Sequence, residues 1–156
     1  MYTKTKPVKV WHIILFSLII IFALSLKLYG FYWPKVQVQV GSQDLTVLLA
    51  KGSRHLHQGL TGRKDLGKYQ GVLFVFPDRG QHTMVMRDIN FAIDIIWIDN
   101  YKIVDMALNL QAEPDDLASR LEPYFSRASS DMVLEVSAGF AVKNKLKIGD
   151  MVKISN

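Results

Sequence analysis

Two carboxylates interrupt stretches that otherwise read as buried strand. Asp94 falls inside the apolar run Phe91–Ile98, on the strand face it shares with Ala92, Ile96 and Ile98, and Glu135 falls inside Met132–Val136, on the face of Val133. A carboxyl group in such a place is costly unless it is ion-paired, hydrogen-bonded or protonated. For Asp94 the candidate partners are Arg63, His82 and Arg87. It reads either as a structural carboxylate, holding an ion pair or a set of loop amides, or as a functional one with a perturbed pKa. Glu135 reads either as an outward-facing charge or as the second member of an acid/base pair with Asp94. The 41 residues between them carry no information about their distance.

Other chemistry-bearing side chains give weaker signals. His55 and His57 are two apart, a spacing that suits a strand face, yet Ser53, Gly59 and Gly62 around them indicate a turn or short helix. No metal site is expected there. His82 follows a tight turn and reads as a loop residue, while Met84 and Met86 read as fillers of core gaps. The chain has no cysteine, which excludes disulfides, thiolate metal sites and a cysteine nucleophile. Zinc-protease, nucleophile-elbow, Walker and dinucleotide-binding signatures do not occur. No cofactor is expected.

The elements that would hold these residues follow from the hydrophobic pattern. Val36, Val38 and Val40 alternate with Lys35, Gln37 and Gln39, as in a half-buried strand. Gly41–Asp44 is a turn, and Leu45–Lys51 returns as a strand. Ser53 is positioned to cap a short helix carrying Leu56 and Leu60. A strand from Gly71 to Phe76 is expected to stop at Pro77-Asp78-Arg79-Gly80, and residues 82–87 form another strand. Phe91–Asp99, apolar on both faces, predicts a strand covered on both sides. After a turn at Asn100, Lys102–Leu110 runs back. Glu113–Leu121 predicts a helix, with Pro114 in its first turn and Asp115 and Asp116 at its positive end. Met132–Val136 is a strand, Ser137 caps a short helix over Ala138–Asn144, and Met151–Ile154 is the last strand. Seven or eight short strands with two or three small helices predict a compact, mainly β (α+β) domain, an antiparallel sandwich or barrel.

The amino-terminal part is of another kind. Val10–Leu26 is 17 residues without a formal charge, flanked by Lys9 and Lys27 and followed by Leu28-Tyr29-Gly30-Phe31-Tyr32-Trp33 and then Pro34. Residues 10–33, as a helix about 36 Å long, suffice to cross a bilayer with an aromatic belt at one interface. Residues 1–9 form a basic cytoplasmic tail, and 34–156 form one domain on the outer side of the cytoplasmic membrane. The competing reading is a signal peptide cleaved near Ala23-Leu24-Ser25, which would release a secreted domain. Four of the 19 basic residues precede Trp33 and no acidic one does, leaving 15 basic against 14 acidic beyond it. A nearly neutral domain with interspersed signs is no nucleic-acid binder.

Six segments taken together resemble a known family, the one named for domain of unknown function 192. They are Gly59-Leu60-x-x-Arg63, Gly71–Phe76, Met86-Arg87, Ile93–Asp99, Leu134-Glu135-x-x-Ala138-Gly139 and Gly149-Asp150, in the family's order over residues 45–154. The resemblance implies a compact, mostly β domain, exported or anchored, with no established activity. It also implies that Arg63, Met86, Asp94, Glu135, Gly139 and Asp150 occupy characteristic positions. The chain departs from the family at Met84–Ile89, where a segment like Phe-Trp-Met-Lys-Asn-Thr is usual, and at Ala92, where proline is frequent.

Two functions are compatible with these residues. One is a non-enzymatic envelope module that binds a small ligand, a saccharide or a partner protein. Its pocket would be lined by Arg63, Arg87, Asp94 and Glu135, with Trp97 or Phe140 as stacking faces. The other is a hydrolase or lyase in which Asp94 and Glu135 act as acid and base across one cleft. A third, blander role is an envelope scaffold, recognised by a large exposed apolar patch without a pocket.

Overall fold

A computed structural model describes residues 9–29, 32–113 and 121–155. The chain divides into two compact units, Met1–Tyr32 and Trp33–Asn156. The first holds helix α1, Val10–Tyr29, whose window Val10–Lys27 is long and apolar enough to cross a membrane. The described side chains of α1 are exposed throughout, with none turned inward as a core helix would require.

The second unit is built on one seven-stranded sheet: β1 (Lys35–Val40), β2 (Gln43–Ala50), β3 (Gly71–Gly80), β4 (Ile93–Asp99), β5 (Lys102–Leu110), β6 (Ser130–Ser137) and β7 (Val152–Ser155). The strand order is β5-β4-β6-β3-β2-β1-β7. Every pairing is antiparallel except β2 with β3, which run parallel because residues 51–70 carry the chain back across the sheet through the short helix α2 (Ser53–Gln58). The sheet curls until its margins meet. Lys102 at the start of β5 bridges Met151 just before β7, and the Ile103 N–H donates to the Asp150 carbonyl at 2.9 Å. The mainly β, barrel-like α+β architecture is therefore observed, with one parallel step in it.

Period-two alternation splits the apolar residues into two cores. Val36, Val38, Val40, Leu73, Ile96, Ile98, Leu134 and Val152 fill the inside of the curl with contributions from all seven strands. Leu48, Val72, Phe74, Ile93, Ile95, Trp97 and Val133 form the outer core, which Leu60, Met84, Met86 and Ile89 cover from the connecting segments. This explains why Ile93–Ile98 is apolar on both faces and buried at every position.

Several local expectations are corrected. Pro77–Gly80 does not end β3. The strand runs to Gly80 through an irregularity in which Val75 opposes Met132 and Gly80 opposes Ser130, so the proline sits where the ladder is already broken. Residues 82–87 form no strand. They make one bridge, Met84 with Tyr124, and lie over the outer core. Neither Ser53 nor Ser137 caps a helix. Gly52 precedes α2 and Gly139, at φ 82°, precedes α3 (Phe140–Lys143), neither with a side chain to offer. The turn at Asn100 is as expected, with Asn100 and Tyr101 both left-handed (φ 46° and 61°), a twist suited to a two-residue hairpin. The helix expected from Glu113 to Leu121 falls on residues 114–120, outside the described residues.

Candidate functional site

Glu135 stands in the middle of β6, opposite Val72 of β3 and Ile95 of β4. Alternation turns it to the outer face, where it is 2% exposed. Its Oε2 is buried without a hydrogen-bond partner. Burial pushes the carboxyl up to about 8, so at neutral pH it is largely protonated. The backbone beneath it is tight. A Cβ on Gly71 would lie 2.3 Å from the Glu135 carbonyl oxygen, so β3 and β6 approach this closely only because residue 71 is glycine.

The carboxyl group borders a cavity of about 80 Å³, room for a few waters or a small ligand. One wall comes from the end of α2 and the loop after it (Leu56, His57, Gln58, Gly59, Leu60 and Thr61). Facing it are Thr83, Met84, Val85, Arg87 and Ile89, with Phe74 from β3. Two features set the walls. Gly59 ends α2 with φ 47° and ψ −129°, and a Cβ there would lie 3.0 Å from the Phe74 ring. The Gly62 N–H donates to the Asp88 carbonyl at 2.9 Å, joining the two loops. Met84, Met86 and Ile89 sink into the outer core, which leaves Arg87 exposed at the rim. Arg87 has no carboxylate partner among the described residues.

Asp94 does different work. Its Oδ1 accepts from the N–H groups of Asn109 (2.8 Å) and Gly139 (3.2 Å), and its Oδ2 accepts from that of Ala141 (2.9 Å). A strand carboxylate thus supplies the cap that Gly139 lacks at the start of α3. Of the two readings, the loop-amide one describes it, and Arg63, His82 and Arg87 are not its partners.

The six expected binding residues do not converge. Arg87 and Glu135 line one cavity. Arg63 places its guanidinium 5.5 Å above the Trp33 ring, which also meets the His55 ring at 4.4 Å. Trp97 is 1% exposed in the outer core, so no ligand can stack on it. Phe140 borders a separate open groove with Tyr69, Gln70 and Ser137. Asp94 and Glu135 lie on opposite sides of the sheet, because Asp94 pairs with Val136 and Ile95 with Glu135. They share no cleft and do not form an acid/base pair. His57, Gly59, Thr61 and Thr83 escaped the sequence reading as cavity residues. The signal present in the sequence was Gly59, which stands in the Gly59-Leu60-x-x-Arg63 segment.

A third buried carboxylate, Asp105 of β5, is fully satisfied. It accepts from the backbone N–H of Arg127 at 2.7 Å and of Met106 at 2.9 Å, and from the Arg127 guanidinium. These contacts hold it down at about 2 and fasten the 126–128 loop. Among the described residues no group of three or more His, Asp and Glu side chains could hold a metal ion.

Comparison with known proteins fits this picture. The model of the DUF192 family, described as uncharacterised, matches residues 36–154, the whole β unit apart from its ends. The chain belongs to the DUF192 family. A protein from Sinorhizobium meliloti 1021, described as a candidate transcription regulator, has a similar structure (TM-score 0.69, 25% identity, covering 78% of this chain and 95% of that one). So does a protein of unknown function from Novosphingobium aromaticivorans DSM 12444 (TM-score 0.64, 25% identity, covering 78% of this chain and 84% of that one). No curated protein matches.

Proposed function

We propose that this DUF192 protein is a non-enzymatic binding module, tethered by α1 at the outer face of the cytoplasmic membrane, whose small ligand occupies the cavity beside Glu135. The observation that carries the reading is that Glu135, which lines that cavity, keeps a buried Oε2 without a partner. A buried polar atom without a partner costs about 1–3 kcal/mol. Asp94 and Asp105 show that this fold can satisfy a buried carboxylate completely. Glu113, Asp131 and Glu135 each keep a buried carboxyl oxygen without a partner among the described residues, but only Glu135 lines this cavity, and a ligand that completes its hydrogen bonding gives that oxygen a use. The tether rests on the length and apolarity of Val10–Lys27 and on the lysines before it.

Native mass spectrometry of full-length protein purified in mild detergent tests the binding. An envelope small-molecule fraction should leave a bound species on the wild type and none on Thr83→Trp, which adds an indole to the cavity lining. An equal load on both would overturn the assignment. The natural absence of cysteine allows a clean topology test. In intact cells a membrane-impermeant maleimide should label a cysteine placed at Lys153 and spare one placed at Lys4. The opposite pattern would overturn the orientation.

A further inference from the structure

We infer that the cavity is a receptor for a small zwitterion of the amino-acid class, its ammonium group held by Glu135 and its carboxylate by Arg87. This rests on the binding reading above and deepens it. The two charged side chains that line the cavity have opposite sign and come from different elements, β6 for Glu135 and the 82–90 segment for Arg87. No ion pair joins them: Glu135 Oε2 has no partner, and the Arg87 guanidinium has no carboxylate among the described residues. Two side chains of opposite sign that line one small space without pairing suit a molecule that carries both complementary charges. The volume of about 80 Å³ suits a molecule of a few heavy atoms. The lining also includes Thr61, Thr83, Leu60 and Phe74, a mixed polar and apolar wall that suits a short side chain on such a ligand.

Protonation separates this class from its rivals. The groups facing the cavity from the elements around it are His57 at the end of α2 and Arg87, while the strand neighbours of Glu135 on β3 and β4, Val72 and Ile95, are uncharged. Buried Glu135 holds a proton up to about pH 8, and an ammonium ligand must displace that proton. Affinity for a zwitterion therefore rises from pH 6 to pH 8. A neutral polyol or a plain carboxylate, which takes a hydrogen bond from the protonated carboxyl, shows the reverse trend.

Ligand-observed NMR on the full-length protein in detergent, with glycine, alanine, methylamine, acetate and glycerol as probes, decides the matter. Glycine or alanine should bind at least tenfold more tightly than methylamine or acetate, with glycerol weakest. Glu135→Gln should lower glycine affinity tenfold or more and flatten its rise with pH, Arg87→Ala should lower it comparably, and His57→Gln should leave the pH trend in place. Acetate or glycerol binding best, with affinity falling toward pH 8, would overturn the ligand class and leave the binding reading standing. No saturable binding of any probe to the wild type, together with no bound envelope species, would overturn both.

Discussion

Asp94 and Glu135 stand one rung apart on adjacent strands, β4 and β6, and point to opposite sides of the sheet. One is wrapped by three backbone N–H groups and the other has a carboxyl oxygen with no partner. The same residue class thus carries two tasks, fastening α3 on one side and bordering a cavity on the other. Substitutions at the two positions should move stability in opposite directions.

Asp94→Ala leaves three inward N–H groups without acceptors, at about 1–3 kcal/mol for each that water cannot reach. A loss of about 3 kcal/mol or more is expected in urea unfolding. Hydrogen exchange of the Ala141 amide should accelerate at the same time, since its donor bond to Oδ2 is gone. Asp94→Asn, which keeps one acceptor oxygen, should fall between wild type and alanine.

Glu135→Gln should stabilise the protein at alkaline pH. The folded chain keeps its proton up to about pH 8, whereas the unfolded carboxyl releases it near 4.5. Across that window the folded state binds more protons, so wild-type stability falls as pH rises. The glutamine variant lacks this slope. It should match wild type near pH 4.5 and exceed it by about 2 kcal/mol or more at pH 8, read from denaturation midpoints at both values.

Asp105 works the other way. Held at about 2 against an ordinary 3.8, it stabilises the fold above pH 4, and that contribution disappears as pH falls through 2. Asp105→Asn should remove about 1–2 kcal/mol at neutral pH and flatten stability between pH 4 and 2. Arg127→Ala should reproduce much of that flattening in an acid titration of folding.

Two glycines report on close backbone approach. Gly71→Ala forces β3 away from the Glu135 carbonyl and should cost about 1–3 kcal/mol. Gly59→Ala meets both an unfavourable positive φ and the Phe74 ring, at a similar cost of about 1–3 kcal/mol. Because Gly59 also borders the cavity, its variant should weaken ligand capture at temperatures where it remains folded, whereas Asp94→Asn should not.

Much of the sheet is legible in the sequence, because a half-buried strand writes its alternation directly, as at Val36, Val38 and Val40. Doubly covered β4 is equally plain from Ile93–Ile98. What stays hidden is set by long-range geometry. Pro77 reads as a stop, yet a ladder broken by a bulge tolerates it. Ser53 and Ser137 are sound capping residues by type, but Asp94, 45 residues before Gly139, accepts from the Gly139 and Ala141 amides at the start of α3 instead. The facing of Asp94 and Glu135 depends on the register between β4 and β6, and a separation along the chain cannot encode it. The cavity is assembled from a helix end, a cover segment and two strands, so only its charged members, Arg87 and Glu135, stand out beforehand.

The contact between Lys102 and Met151 has a consequence for colloidal behaviour. A margin already occupied by its own chain cannot template a strand from a neighbouring molecule, and β7, only four residues long, offers little purchase. The remaining length of β5 is made irregular by register slips opposite Ile93–Ile95 and Trp97–Ile98 and by the left-handed Asn109. Such a rim resists stacking into fibrils, and this β-rich body should stay dispersed at high local density.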